Sequence, residues 1–276
     1  MSMWRSGQLL SRGLITGAER VIVSGGAALP DWHTTSRQPV GLAPDPVTTP
    51  EPVVQVYGAR CSRWRGYFGV HTWIAVKPVG ARAYTVYEVL GSRFRRTGSA
   101  LAIRMRAPDT RWFGHVPELL AEKRGDGVNA LIGRIDKAAR EYPYAGRYVV
   151  WPGPNSNTFT AWVARSVPEL EVDLPPTAIG KDYLGHRLTA TAPSGSGFQV
   201  SLSGVLGVLA SSVEGFEINV LGLTFGVDPY FPAFKLPMIG RLGVDQHAGR
   251  RTKVPALAIE VAGAEVDQRP ISGFFH

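Results

Sequence analysis

The sequence predicts an α+β fold, an antiparallel sheet with packed helices followed by a glycine-rich β C-terminal extension. Three observations predict it. The 32 glycines and 21 prolines among 276 residues cut the chain into short, turn-linked segments, which a helical bundle would not tolerate. Between Val53 and Leu90, apolar residues alternate in runs separated by turn residues, the period of half-buried strands. From Val128 to Ala139 and from Phe159 to Val163 the spacing changes to that of a helix face.

Taken in order, residues 1–52 form a partly irregular lead-in. Met1 to Ala28 sets Arg5, Arg12 and Arg20 among Leu9, Leu10, Leu14 and Ile15, a weakly amphipathic segment that either lies on a membrane or frays. Pro30 to Pro52 is extended and rich in Pro, Thr and Ser. Residues 53–172 form the core. Val53 to Tyr57 starts a first strand, Tyr67 to Val76 a second and Tyr84 to Leu90 a third, joined as an antiparallel meander. Ser99 to Arg106 is strand-like. Helical spacing runs over Pro117 to Leu120 and then through Val128, Leu131, Ile132, Ile135 and Ala139, until Tyr142-Pro143 stops it. Arg147 to Val150 reads as a short strand leading into a helix at Ser156. Residues 173–276 form a β-rich extension packed on the core, with strands at Phe198 to Leu202 and within Val205 to Gly226. Glu214, Glu217 and the glycines of that last stretch argue against a transmembrane span.

Composition excludes several classes of function. A single cysteine, Cys61, rules out an intrachain disulfide framework and a multi-cysteine zinc site. No apolar run in the first 28 residues reaches the roughly 18–20 needed to cross a bilayer, and no continuous signal-peptide core is present. A cytoplasmic protein, or one peripheral at the inner membrane, is expected. The net charge is +8, with basic residues concentrated between Arg93 and Arg124. That stretch is either a solvated basic face or a contact for an anionic membrane surface. It contains no nucleic-acid module, so a nucleic-acid partner is not expected. Asp109, His115, Glu118 and Glu122 lack metal-ligand spacing and the isolated glycines form no phosphate loop, so neither metal nor cofactor is expected.

The segment Trp151-Pro152-Gly153-Pro154-Asn155-Ser156-Asn157-Thr158-Phe159 carries the main candidate chemistry. Prolines and glycine set a tight turn, and Asn155 is a good N-cap. Ser156 then falls in the first helical turn, where backbone N–H groups lack partners and the dipole favours negative charge. An acyl-transfer nucleophile and its oxyanion cradle need such a place. The plainer alternative is a capped helix whose Ser and Asn side chains satisfy local backbone. His71 lies mid-strand on the face shared with Trp73, and Glu88 in the next strand falls near it if the hairpin centres on Gly80. Histidine would be the general base and Glu88 its orienting carboxylate. Asn155, Asn157, Trp73 and Trp151 are the substrate- or oxyanion-binding candidates. Cys61 opens no helix and reads as a passive thiol.

A histidine strand followed later by a helix opening Asn-Ser-Asn-Thr-Phe resembles the circularly permuted branch of papain-like folds, the lecithin–retinol acyltransferase type and related amidase-like proteins. The likeness covers about His71 to Arg165. It implies a nucleophile at position 156, where those proteins normally carry cysteine. The segments Val54 to Arg60, His71 to Pro78, Tyr142 to Tyr144, Trp151 to Phe159, Leu174 to Tyr183 and Lys235 to Arg241 also look like an uncharacterised bacterial domain family, over about Trp32 to Gly243. That family implies no activity.

Two functions are expected. One is a serine-dependent acyl hydrolase or acyltransferase using Ser156 and His71 on an amide, ester or lipid acyl group of a small-molecule, peptide or lipid substrate. The other is a non-catalytic ligand-binding or envelope- and membrane-surface module retaining the fold of such enzymes. A serine hydroxyl is far too weak an acid for a helix dipole alone to ionise. The first function therefore requires the His71 ring within about 3 Å of the Ser156 hydroxyl.

Overall fold

In a computed structural model, residues 38–61, 66 and 69–244 are described. The N-terminal basic segment, the Arg63-Trp64-Arg65 link, the Tyr67-Phe68 start expected for the second strand, and the chain after Val244 lie outside them. The described chain is α+β. Its elements in order are β1 (Val53–Arg60), β2 (Val70–Lys77), β3 (Thr85–Val89), α1 (Gly91–Thr97), β4 (Leu101–Met105), β5 (Glu118–Arg124), α2 (Val128–Arg140) and α3 (Ser156–Ser166). Then come β6 (Thr189–Ala190), β7 (Phe198–Leu202), β8 (Leu206–Ser211), β9 (Gly215–Val220), β10 (Leu223–Asp228), β11 (Ala233–Leu236) and β12 (Gly240–Gly243). No helix among the described residues is long and apolar enough to cross a membrane.

The first sheet has the order β4-β3-β2-β1-β5, antiparallel throughout. Alternation sends Val54, Val56, Ile74, Val76, Tyr87 and Val89 to one face, where they pack with α2 and α3 in the main core. The helices fit that face because their own apolar positions recur at i, i+3, i+4 and i+7: Val128, Leu131, Ile132 and Ile135 of α2 are buried, as are Phe159 and Val163 of α3. The opposite face carries a smaller cluster of Val53, Tyr57, Trp73, Ala75, Tyr84 and Val86. The lead-in and the loop after β4 close over it. Asp109 accepts hydrogen bonds from the Leu42 and Ala43 amides at 2.7 and 3.3 Å, Trp73 Nε1 donates to Pro108 O, and the Tyr84 hydroxyl donates to Pro44 O.

Three local expectations are corrected. Glu118–Arg124 is a strand paired with β1, not the start of a helix. Its Leu, Ala, Glu and Lys favour helix weakly, and pairing with a buried central strand overrides that preference. Arg147 to Val150 is irregular rather than a strand. Gly91–Thr97 forms a short helix closed by Gly98 at φ 72°, which the basic stretch did not suggest.

The second sheet is a seven-stranded antiparallel meander, β12-β11-β10-β9-β8-β7-β6. Its polarity is inverted relative to the first. Gln199, Ser201, Glu217, Asn219, Thr224 and Lys235 point inward and are each no more than 4 % exposed. Glu217 bridges Lys181 and Lys235, and Lys235 Nζ also lies 2.6 Å from Asp173. Asp182 accepts from Gln199 and Asn219, and Arg165 of α3 donates to Gln199 and to Thr191 O. Burial lowers the Arg165 guanidinium to a pKa of about 10, with Asp182 opposing the shift. An ionic layer, not an apolar core, therefore joins this sheet to α3 and the 173–182 segment. The outward side chains form apolar rows across the strands. One row runs Phe198, Ala210, Phe216, Val227, Phe234 and Leu242. The next has Val200, Val208, Ile218 and Phe225, and the third Leu202, Leu206, Val220 and Leu223.

Candidate functional site

The turn before α3 forces the chain into position for a cap, and its two X–Pro bonds, at Pro152 and Pro154, are cis. Asn155 closes a reciprocal capping box. Its Oδ1 accepts from the Asn157 and Thr158 amides at 2.9 and 3.2 Å, while Thr158 Oγ1 accepts from the Asn155 amide at 3.1 Å. The other half of each asparagine reaches outward to neighbouring backbone. Asn155 Nδ2 donates to Val150 O and Ile179 O, both at 2.9 Å. Asn157 Nδ2 donates to Val70 O at 3.0 Å and Ile179 O at 2.8 Å. The Thr72 hydroxyl of β2 lies 3.0 Å from Asn157 Oδ1 and 2.8 Å from Thr160 Oγ1, and Thr158 Oγ1 donates to Gly180 O at 2.7 Å. The Asn-Ser-Asn-Thr sequence is thus a polar knot that fastens α3 to β2 and to the 179–180 loop. It also fixes Gly180, whose φ is +94° and where a Cβ would stand 2.4 Å from Asn155 Nδ2.

This knot uses the groups expected to form an oxyanion site. Both side-chain donors of Asn157 and the amides of Asn157 and Thr158 already have partners. Ser156 is 4 % exposed. Its carbonyl accepts from Thr160 at 3.2 Å, and among the described residues its hydroxyl has no hydrogen-bond partner.

His71 lies elsewhere. Thr72 faces α3, so strand alternation turns His71 to the opposite face of the sheet, beside Trp73. There its ring stacks on Trp112 with centroids 4.0 Å apart and lies 5.6 Å from Trp73. His71 Nε2 is 3.4 Å from Glu88 Oε2. Glu88 is wholly buried and also accepts from Arg104 and, at 3.4 Å, from Arg106. Burial pushes its carboxyl up, but the His71 hydrogen bond and the Arg106 and Arg104 charges prevail and hold it at about 2. The Arg106 guanidinium stands 5.7 Å over the Trp73 ring.

The site residues expected from sequence therefore separate into two groups with β2 between them. His71, Glu88 and Trp73 share one face; Ser156, Asn155 and Asn157 share the other. Trp151 belongs to neither, since its Nε1 donates to Leu221 O at the β9–β10 turn. The anticipated nucleophile–base pair is not formed, because a residue one position from a helix-facing threonine cannot itself face that helix. Arg104, Arg106 and Trp112, which complete the His71 cluster, were visible in the sequence only as a basic run and a loop tryptophan.

Two cavities stand out among the described residues: one of about 440 Å³ beside Arg106 and Tyr84, and a larger one lined in part by Ala59 and Val70. The larger measures about 570 Å³ and opens where the two sheets meet. Arg60, Val70, His115, Leu119, Asp173 and Arg241 are among its lining residues. Burial and the neighbouring Arg60 charge hold His115 below the ordinary imidazole value. Arg241 donates to Asp228 and to Phe231 O, and its Nη1, 3.6 Å from Asp173, is buried without a hydrogen-bond partner. Among the described residues no cluster of three or more His, Cys, Asp or Glu is arranged to hold a metal ion.

Residues 51–183 match a family described as a protein of unknown function, DUF3750. That span contains the first sheet, the three described α-helices and the polar knot, and it stops short of the second sheet. No curated protein and no solved structure matches the chain significantly.

Proposed function

We propose that this protein is a non-catalytic binding module, a relative in form of papain-like enzymes that lacks their nucleophile–base pair, and that its ligand is a small anion. One observation carries the first half of the reading: the sheet stands between Ser156 and His71. General-base activation of a serine needs the two groups within hydrogen-bond reach, and without it the hydroxyl stays protonated and weakly nucleophilic. An acyl-hydrolase reading would also need free donors for an oxyanion, which the capping bonds of Asn155 and Asn157 leave scarce.

The second half of the reading rests on the cavity between the sheets. Its size falls within the range of small-molecule sites. Arg60 and Arg241 are two cationic residues on its wall, and Arg241 Nη1, 3.6 Å from Asp173, makes no hydrogen bond. A carboxylate or phosphate suits that geometry.

The test is thermal unfolding of the full chain with inorganic phosphate and with succinate. The reading expects a saturable rise in Tm with one of them, abolished by Arg60→Met and retained by Ser156→Ala. No stabilisation by either anion, or an equal effect on Arg60→Met, would remove the proposed ligand class.

A further inference from the structure

The second sheet presents a surface that the cavity does not explain. On β7 to β12 the fourteen outward positions of its three cross-strand rows are all apolar, and the middle row ends on β6 with Thr189 opposite Val200. These side chains are open to solvent: Phe234 is 64 % exposed, Leu202 58 % and Phe198 56 %. A sheet with one buried face ordinarily points its apolar residues at the core and its polar residues at water. Here the inward face holds the ionic network instead, so the register of the strands is set for an apolar partner outside.

We infer that this face is an isologous dimer interface, covered by the same face of a second copy of the chain. Size is the first argument. Fourteen side chains, each covering about 4.8 by 7 Å, make a patch of roughly 470 Å². Two such patches bury on the order of 900 Å², above most crystal-packing contacts and in the range of weak, reversible association. One such patch matches the largest apolar patches left on monomers, which are often functional.

Shape is the second argument. An antiparallel sheet is covered most completely by another sheet, face to face at about 10 Å, with side chains interdigitating. The leading row supplies both parts of such packing, since small Ala210 lies between Phe198 and Phe216.

The third argument weighs against the main competitor, a lipid surface. The strands of this sheet are no longer than six residues, against about 9–11 for a strand that spans a bilayer. Adsorption to an anionic membrane draws on Lys and Arg bordering the apolar surface. None stands in the three rows, and the basic run from Arg93 to Arg124 belongs to the first sheet and its loops.

The dimer forms a sandwich of two meanders with the two first sheets outermost. Its test is sedimentation equilibrium of the full chain from 1 to 100 µM, beside Ile218→Asp and Phe225→Asp. These two residues point outward from the middle row, so far-UV circular dichroism should remain that of the unaltered chain. The expected result is a mass of about 60 kDa, twice the 29.9 kDa chain, and a dissociation constant weakened at least a hundredfold in each variant. A monomer at every concentration would overturn the inference. So would a dimer indifferent to both variants, which would place the interface elsewhere. Flotation of a monomeric chain with phosphatidylglycerol–phosphatidylcholine vesicles, lost in both variants, would overturn it in favour of lipid. Anion binding in the cavity plays no part in these readouts, so either reading can fail alone.

Discussion

Asn157 offers the sharpest energetic prediction. Its side chain is 3 % exposed and joins α3 to β2 and to the 179–180 loop through Val70 O, Ile179 O and Thr72. Asn157→Ala removes three hydrogen bonds and leaves a buried carbonyl at Val70 and part of the Thr72 hydroxyl's partners unreplaced. Each buried polar group left without a partner costs about 1–3 kcal/mol, so a loss of roughly 3–5 kcal/mol is expected, less whatever Asn155 recovers by holding Ile179 O. Ser156→Ala, by contrast, deletes a hydroxyl with no protein partner among the described residues and should cost no more than about 1 kcal/mol. Guanidinium unfolding followed by both tryptophan fluorescence and circular dichroism measures the two variants. A donor kept for chemistry is commonly neutral or stabilising when truncated, because active sites trade stability for function. An Asn157→Ala variant as stable as the parent, or more stable, would therefore refute the structural role assigned to the knot.

Further outcomes follow from the same contacts. Gly180→Ala drives a Cβ toward Asn155 Nδ2 at a φ of +94°, and should lower stability by at least about 2 kcal/mol; a Tm within a degree of the parent would contradict the packing. Glu217→Gln leaves Lys181 and Lys235 buried around a neutral amide, and should cost about 3–5 kcal/mol in chemical unfolding; a loss below 1 kcal/mol would show that the ionic layer holds nothing together. Glu88 has a depressed folded pKa of about 2. Its stabilisation is therefore complete above the unfolded carboxylate value near 4.3 and is lost as pH falls through that value towards the folded one. Unfolding free energy measured from pH 5 to pH 2 should fall less steeply in Glu88→Gln than in the parent, and an unchanged slope would contradict the charge assignment.

Much of the architecture was legible in the residues. Period-two runs marked β1, β2 and β3, helical spacing marked α2, and Asn155 marked the start of α3, because each of these elements buries one face against a neighbour. The second sheet was legible as strands, but its orientation was not, since alternation says which residues share a face and not which face meets water. Glu118–Arg124 misled because its helix-forming residues are overruled by pairing with β1. The site misled for a related reason. Thr72 is the hydroxyl among Val70, Ile74 and Val76, and that exception was the signal that the helix-facing side of β2 would meet polar groups of α3. Once Thr72 is given to that side, His71 must take the other. The aromatic stack of Trp112 on His71 and the convergence of Arg104 and Arg106 on Glu88 depend on how the loop after β4 folds back, which no local pattern encodes.

One labelling experiment tests the central claim most directly. The full chain is treated with a fluorophosphonate probe from pH 6 to pH 9, beside Ser156→Ala and His71→Ala, and adducts are counted by intact mass. A serine held away from any base should take up no probe at any pH. Stoichiometric modification of Ser156 that disappears when either side chain is replaced would mean the two groups do cooperate, and the separation described for them would be wrong.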